Sequence, residues 1–199
     1  MEYFKDDLKW DFKAKKAFRV IVVGAGVAGL AAGKGLKRAG HDVVILEQVP
    51  KIGEVGAGIQ MAPNAVRILG RFGLLQKTMD NANNNEEIGT APLMPQVGKK
   101  YNAPLSVIDR GDLQRILLEA GYAEKVDVRL NHKVIKANPH FEARVQVSPG
   151  EWIEGDVLIA ADGIKSDIRY QMAQEHGIKD RSTSTGDAAY RLIIPREKM

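Results

Sequence analysis

Three glycines and one glutamate in this chain have the types and spacing to hold a pyrophosphate and a ribose. Gly24, Gly26 and Gly29 form a Gly-x-Gly-x-x-Gly run directly after the apolar stretch Val20-Ile-Val-Val23. Glu47 closes a second apolar stretch 18 residues after the last glycine. Strand, glycine turn, helix, strand and acid in this order are what dinucleotide binding requires. Gly24 allows the tight turn, Gly26 has no side chain to block a pyrophosphate, and Gly29 lets the helix pack closely on the sheet. The phosphates then meet the free N–H groups of the first helical turn, around Ala28, at the positive end of the helix. Glu47 can accept hydrogen bonds from adenosine ribose hydroxyls, and its charge repels a 2′-phosphate, so the pattern favours FAD or NAD over NADP.

The elements that must position these residues follow from the hydrophobic pattern. Gly33 and Gly35 lie inside the helix, where each costs roughly 1 kcal/mol relative to alanine, as expected if its backbone lies against a sheet. After Glu47 the chain reads as a loop through Pro50, Gly53 and Gly56-Ala57-Gly58-Ile59, then a short amphipathic helix from Pro63 with another turn near Phe72 to Met79. Residues 88–104 contain Pro92, Pro95 and Pro104, and at most one short edge strand is expected there. Leu105 to Asp109 reads as a strand ending at Arg110. Asp112 caps or charges the start of a helix with an apolar face of Leu113, Ile116, Leu117 and Ala120. Val126 to Leu130 is expected as a parallel strand. Residues 132–137, 142–147 and 151–154 follow as an antiparallel meander covering the sheet. Val157 to Ala160 reads as a fully buried strand leading to Asp162-Gly163, Ile164 to Gln174 as a helix, and Gly186 to Pro195 as a last strand. The fold class is therefore α/β: a Rossmann-like FAD-binding domain with a parallel sheet and an antiparallel β-meander.

Composition narrows the class of function. The chain has 199 residues, 44% hydrophobic and 27% charged, with a net charge of +4 spread among 25 acids. No basic and aromatic motif accompanies that charge, so no nucleic-acid partner is expected. There is no cysteine, which rules out disulfides, zinc-thiolate sites and a cysteine nucleophile and is mild evidence for a cytoplasmic setting. The four histidines, His41, His132, His140 and His176, have no metal-ligand spacing, and no metal is expected. The mixed-charge residues before Phe18 suit neither a signal nor a transit peptide and read as an exposed leader. No stretch is long and apolar enough for a transmembrane segment.

Four blocks taken together resemble the FAD-dependent aromatic-ring monooxygenases of the salicylate hydroxylase type, especially fungal ones. They are Gly24 to Gly29 with Glu47, Gly56-Ala-Gly-Ile59 with Pro63-Asn64, Asp109-Arg110-Gly-Asp-Leu113, and Ala161-Asp162-Gly163-Ile-Lys-Ser166. A fifth, Ala189-Tyr190-Arg191 before Ile194-Pro195, looks like the start of that family's substrate domain. The resemblance implies that Glu47 binds the FAD ribose, that Ala57 and Gly58 line the cofactor near its flavin side, and that Arg110 contacts FAD. It implies that Asp162 and Gly163 act near FAD and in NAD(P)H-dependent reduction, and that Arg191 is catalytic, a cation beside the ring. The implied activity is hydroxylation of a small phenolic or benzoate-like substrate with NADH or NADPH and O2, the hard chemistry belonging to the cofactor. Simpler roles are open for several of these residues. Arg110 can pair with Asp109 or Asp112, Asp162 can cap the next helix, Arg191 can be a surface strand residue, and Tyr190 can be core.

Two departures shape the expectation. Ala160 stands where the family shows the first glycine of Gly-Ala-Asp-Gly, and the chain stops at Met199, before the family's second Gly-Asp motif. The expected layout is a leader over 1–17, an incomplete FAD-binding domain over 18–180 and the start of a substrate domain over 181–199. Unpaired sheet edges and an uncovered apolar face then make the chain aggregation-prone, or completed by a C-terminal half or an oligomer. Alternatives to a turning-over monooxygenase are a truncated FAD-binding fragment and an NAD-dependent oxidoreductase.

Overall fold

The computed structural model describes residues 13–53, 58–82, 93–179 and 182–188. They fall into two compact units, one of residues 58–116 and the other of 13–53 with 117–188.

The second unit is built on a four-stranded parallel sheet. Its strands are β1 (Arg19–Val23), β2 (Asp42–Leu46), β5 (Asp127–Arg129) and β9 (Val157–Ala160), in the order β5-β2-β1-β9. Both faces of its centre are covered, so β1 and β2 read as continuous apolar runs instead of alternating ones. On one face lies α1 (Val27–Arg38), where a Cβ on Gly33 would come within 2.6 Å of Ile45 Cδ1. That contact explains a helical glycine: the helix backbone sits directly on β2. On the other face Ile21, Val23, Val44 and Leu46 share one core with Ala137, Val145, Val147 and Ile153. The latter belong to an antiparallel meander of β6 (Val134–Ala137), β7 (Arg144–Val147) and β8 (Trp152–Glu154), as the alternating pattern predicts. Helix α6 (Asp167–Glu175) joins this core through Ile168. Its Gln171 accepts from the Ala137 N–H and donates to the Ala137 carbonyl, both at 2.9 Å. Lys34 of α1 is buried and bonded to Glu124 at 3.1 Å, which satisfies an ammonium that would otherwise be costly to desolvate.

The first unit pairs β3 (Gly58–Met61) antiparallel with β4 (Ser106–Asp109). Its helices are α2 (Pro63–Arg71), α3 (Leu75–Asn81) and α4 (Leu93–Tyr101), and α5 (Arg110–Ala123) begins in it. Pro63 opens α2 as expected, and the expected apolar face of α5, Leu113, Ile116, Leu117 and Ala120, is buried throughout.

Three expectations are corrected. Residues 93–101 form α4, not an edge strand; Pro95 falls in its first turn, where a missing N–H costs no helical bond. Gly58 to Met61 is a strand where a loop is expected, because its partner β4 is distant in sequence. Val157 to Ala160 is not fully buried: among the described residues it is an edge of the sheet, and Val157 is 38% exposed. Asp109 caps α5, its Oδ1 accepting from the Gly111 N–H at 2.8 Å, and Asp112 charges the first turn, one of the two roles expected of it. The expected strand over 186–195 lies mostly outside the described residues, and residues 186–188 are in no regular element. Ala57 and Arg191 also lie outside them.

Candidate functional site

Because all four strands of the main sheet run parallel, their carboxyl ends lie along one edge. β1 has β2 on one side and β9 on the other. The chain thus leaves β1 in one direction and returns on the far side, the switch point at which open α/β sheets bind ligands. Three predicted groups meet there: the glycine turn after β1, Glu47 after β2, and Asp162-Gly163 after β9.

The three fingerprint glycines have different reasons to be glycine. Gly24 has φ +99°, and a Cβ there would lie 2.5 Å from the Ala161 carbonyl oxygen. The turn thus rests on the backbone just before Asp162, and its N–H donates to the Leu46 carbonyl at 2.8 Å. At Gly29 a Cβ would lie 1.9 Å from the Gly24 carbonyl oxygen, an impossible overlap. Gly29 therefore closes the helix onto its own turn as well as onto Val22. Gly26 is the opposite case. Its φ of −70° and ψ of 178° suit any residue, and a Cβ there would meet nothing within 4 Å. No described residue requires glycine at 26, and the space beside it is open.

That space faces the start of α1. No side chain caps this helix and no acid lies in its first turn, so its opening amides, including that of the exposed Ala28, meet no carboxylate of their own. Such an end attracts an anion. Lys37 and Arg38 sit in the last turn, where they complement the dipole.

Glu47 is half-buried and doubly bonded: Oε2 accepts from the Ala25 N–H at 2.7 Å and Oε1 from the Val49 N–H at 3.1 Å. Its main chain continues the ladder beyond β2, donating to Arg129 O at 2.9 Å and accepting from the His132 N–H at 2.8 Å. Asp162 is engaged on one side only. Its Oδ2 accepts from the Ile168 N–H at 3.3 Å, while its buried Oδ1 has no partner among the described residues. The cap of α6 is Ser166, whose Oγ accepts from the Arg169 N–H at 3.0 Å. Gly163 supplies the φ of +88° that turns the chain. Ala160 is exposed, so its methyl group crowds no described neighbour.

In the first unit, Gly58 stands opposite Asp109 in the β3–β4 register, next to Arg110. The alternative partners of Arg110 are taken: Asp109 caps α5, and Asp112 pairs with Arg115 at 2.8 Å. Arg110 is exposed and makes no ion pair or hydrogen bond among the described residues, which leaves its guanidinium available. Among the described residues no group of His, Asp or Glu is arranged to hold a metal ion, and no helix is long and apolar enough to cross a membrane.

The amides of Ala25 and Val49, which hold the Glu47 carboxylate, are absent from the sequence reading. A backbone N–H has no residue-type signature, and only the proximity of the acid in the fold reveals it.

The family model described as "FAD binding domain" matches residues 17–188. 3-Hydroxybenzoate 6-hydroxylase 1 of Aquipseudomonas alcaligenes is 35% identical, over 90% of this chain and 48% of that protein. FAD-dependent monooxygenase OpS4 of Beauveria bassiana (strain ARSEF 2860) is 32% identical, over 93% of this chain and 46% of its own length. The chain thus spans about half the length of the curated relatives it matches. Among solved structures, a tetrameric form of 2-methyl-3-hydroxypyridine-5-carboxylic acid oxygenase superposes with a TM-score of 0.68 at 27% identity, covering 79% of this chain and 42% of that one. A fingerprint turn with open space at Gly26, an uncapped helix start and a fixed acid after β2 agree with these likenesses, and the chain belongs to the FAD binding domain family.

Proposed function

We propose that this chain forms the dinucleotide-binding part of an FAD-dependent monooxygenase that hydroxylates a small phenolic or benzoate-like ring with NADH or NADPH and O2. The observation that carries the reading is the anion cradle at the start of α1, open at Gly26 and free of any carboxylate in its first turn. The residues present fit the cofactor. Gly24, Gly26, Ala28 and Gly29 receive its pyrophosphate, and Glu47 offers its remaining lone pairs to the adenosine ribose. Arg110 contributes a free cation, Asp162 with Gly163 borders the cofactor from β9, and the family resemblance assigns Ala57 and Gly58 to the flavin side. When bound, FAD supplies the redox and oxygen chemistry of the reaction. Arg191 is assigned the catalytic position, a cation beside the ring that stabilises phenolate character.

The relatives' names support the substrate class: 3-hydroxybenzoate and 3-amino-4-hydroxybenzoate are small hydroxylated aromatic acids. In this reading residues 1–17 are a leader, 18–180 the FAD-binding domain and 181–199 the start of a substrate domain, in a cytoplasmic protein. A second reading, a cofactor-binding unit without turnover of its own, is favoured by the roughly half-length match to the relatives. In that case a C-terminal half or an oligomeric partner completes the enzyme.

The test is the visible spectrum of the purified protein, with the released cofactor identified after denaturation, beside Gly26→Val. Stoichiometric FAD in the parent and none in a folded Gly26→Val variant is the expected result. A variant that retains flavin places the cofactor elsewhere. NADH consumption with a hydroxylated product separates the first reading from the second.

A further inference from the structure

Glu47 is held by protein backbone through both its carboxylate and its main chain, and this bears on how the cofactor site is formed. Its two carboxylate oxygens accept from Ala25 of the glycine turn and from Val49 of the following loop, at 2.7 and 3.1 Å. Its N–H and carbonyl bind Arg129 and His132. Four backbone segments are therefore fastened at one residue: the turn after β1, β2 itself, the loop after β2 and the extension of β5. We propose that Glu47, besides facing the ribose, is a positioning residue that locks the glycine turn in its binding conformation in the cofactor-free protein. This rests on the reading of the β1–α1–β2 crevice as the FAD site.

The physical argument has three parts. A carboxylate accepting from backbone N–H makes a charge-assisted bond, roughly twice as strong as a neutral one, and the Ala25 contact is the shorter of the two. Gly24 and Gly26 are among the residues with most conformational freedom to lose, so the bond to Glu47 adds a side-chain restraint to a turn that is otherwise held by backbone contacts such as Gly24 N–H to the Leu46 carbonyl. Spending the Ala25 amide on Glu47 also assigns the amides: Ala25 is committed internally, and those of the first turn of α1 remain for phosphate. Each Glu47 oxygen keeps a second lone pair, so the lock and the ribose contact coexist. A side chain pinned at both oxygens cannot swing aside, and a 2′-phosphate would meet a fixed negative charge. Preorganisation of this kind raises affinity by removing an ordering cost from binding.

The test is amide hydrogen exchange of the cofactor-free protein, followed by NMR, for the parent, Glu47→Gln and Glu47→Ala, with FAD titration of each. Gln keeps one acceptor oxygen and is the conservative variant. In Glu47→Ala the Ala25 amide is expected to exchange about tenfold faster or more, while amides of the meander keep their rates. In Glu47→Gln the Ala25 amide stays largely protected and the Val49 amide is released. Unchanged Ala25 exchange in the cofactor-free Glu47→Ala protein overturns the locking role, whatever the FAD affinity. Unchanged FAD affinity in both variants, with Ala25 deprotected, removes Glu47 from the ribose site and also overturns the preorganising role, because releasing the turn would then cost binding nothing. If Glu47→Ala does not fold, Glu47→Gln decides: equal loss of protection at Ala25 and across the meander makes Glu47 a general stability residue and overturns the proposal.

Discussion

β2 and β9 are near-copies in sequence and opposites in environment. One reads Asp42-Val-Val-Ile-Leu and ends at Glu47; the other reads Asp156-Val-Leu-Ile-Ala and leads to Asp162. Both pair parallel with β1, one on each side. In β2 the four apolar residues are 1–4% exposed, whereas β9 presents Val157 at 38% and, among the described residues, is paired only on its β1 side. The terminal acids differ in the same sense. Glu47 has both oxygens engaged, and Asp162 leaves Oδ1 buried without a donor among the described residues. Apolar composition thus reports that a segment is a strand, while its rank in the sheet decides how far it is buried. Residues brought from elsewhere in the chain settle that rank.

Six substitutions, in four tests, would break or sharpen this contrast. The largest effect is expected for Val43→Asp, which buries an unpaired carboxylate and should cost about 4 kcal/mol or more; Val157→Asp at the edge should cost far less. Chemical denaturation of the two variants measures the difference, and equal losses would mean that the two strands are equally central. Next is Gly29→Ala, whose methyl would overlap the Gly24 carbonyl and should destabilise by about 3 kcal/mol. A melting curve like the parent's would show that the turn relaxes freely. The acids come third. Glu47→Gln should lose roughly 1.5 kcal/mol or more of cofactor-free stability, and Asp162→Asn should stay within about 1 kcal/mol of the parent. Thermal melts that reverse this ranking would show that Asp162, not Glu47, is the structural anchor. The smallest effect is Val157→Lys, within about 0.5 kcal/mol, but with slower aggregation because a charged edge resists strand pairing. Light scattering at matched concentration checks it.

The same contrast explains where sequence reasoning succeeds. The β1–α1–β2 unit is a local motif: its glycines, its apolar runs and its acid lie within 30 residues, and the local rules agree. The meander was readable from alternation and from its proline and glycine turns. What escaped depends on distant partners. β3 is a strand because β4 lies beside it, 45 or more residues away, and β9 is an edge because no other described strand flanks it. Pro95 suggested a broken segment, yet it occupies the one part of a helix that tolerates it. The site shows the same limit at finer scale. Gly24, Gly26 and Gly29 share one motif, but only the fold separates the two that the backbone demands from the one that no described neighbour demands.

Gln171 gives the region after β9 a mechanical character. By gripping both main-chain groups of Ala137, it acts as a one-residue strand on the outer side of β6, the meander's edge. Helix α6 cannot lift away without stripping both groups of their partners at once. The far end of the β9–turn–α6 lever is therefore pinned, and any shift at Asp162 must be absorbed within the short turn from Gly163 to Ser166. The compliance of this corner is concentrated in four residues, next to the buried Asp162 Oδ1 that has no donor among the described residues.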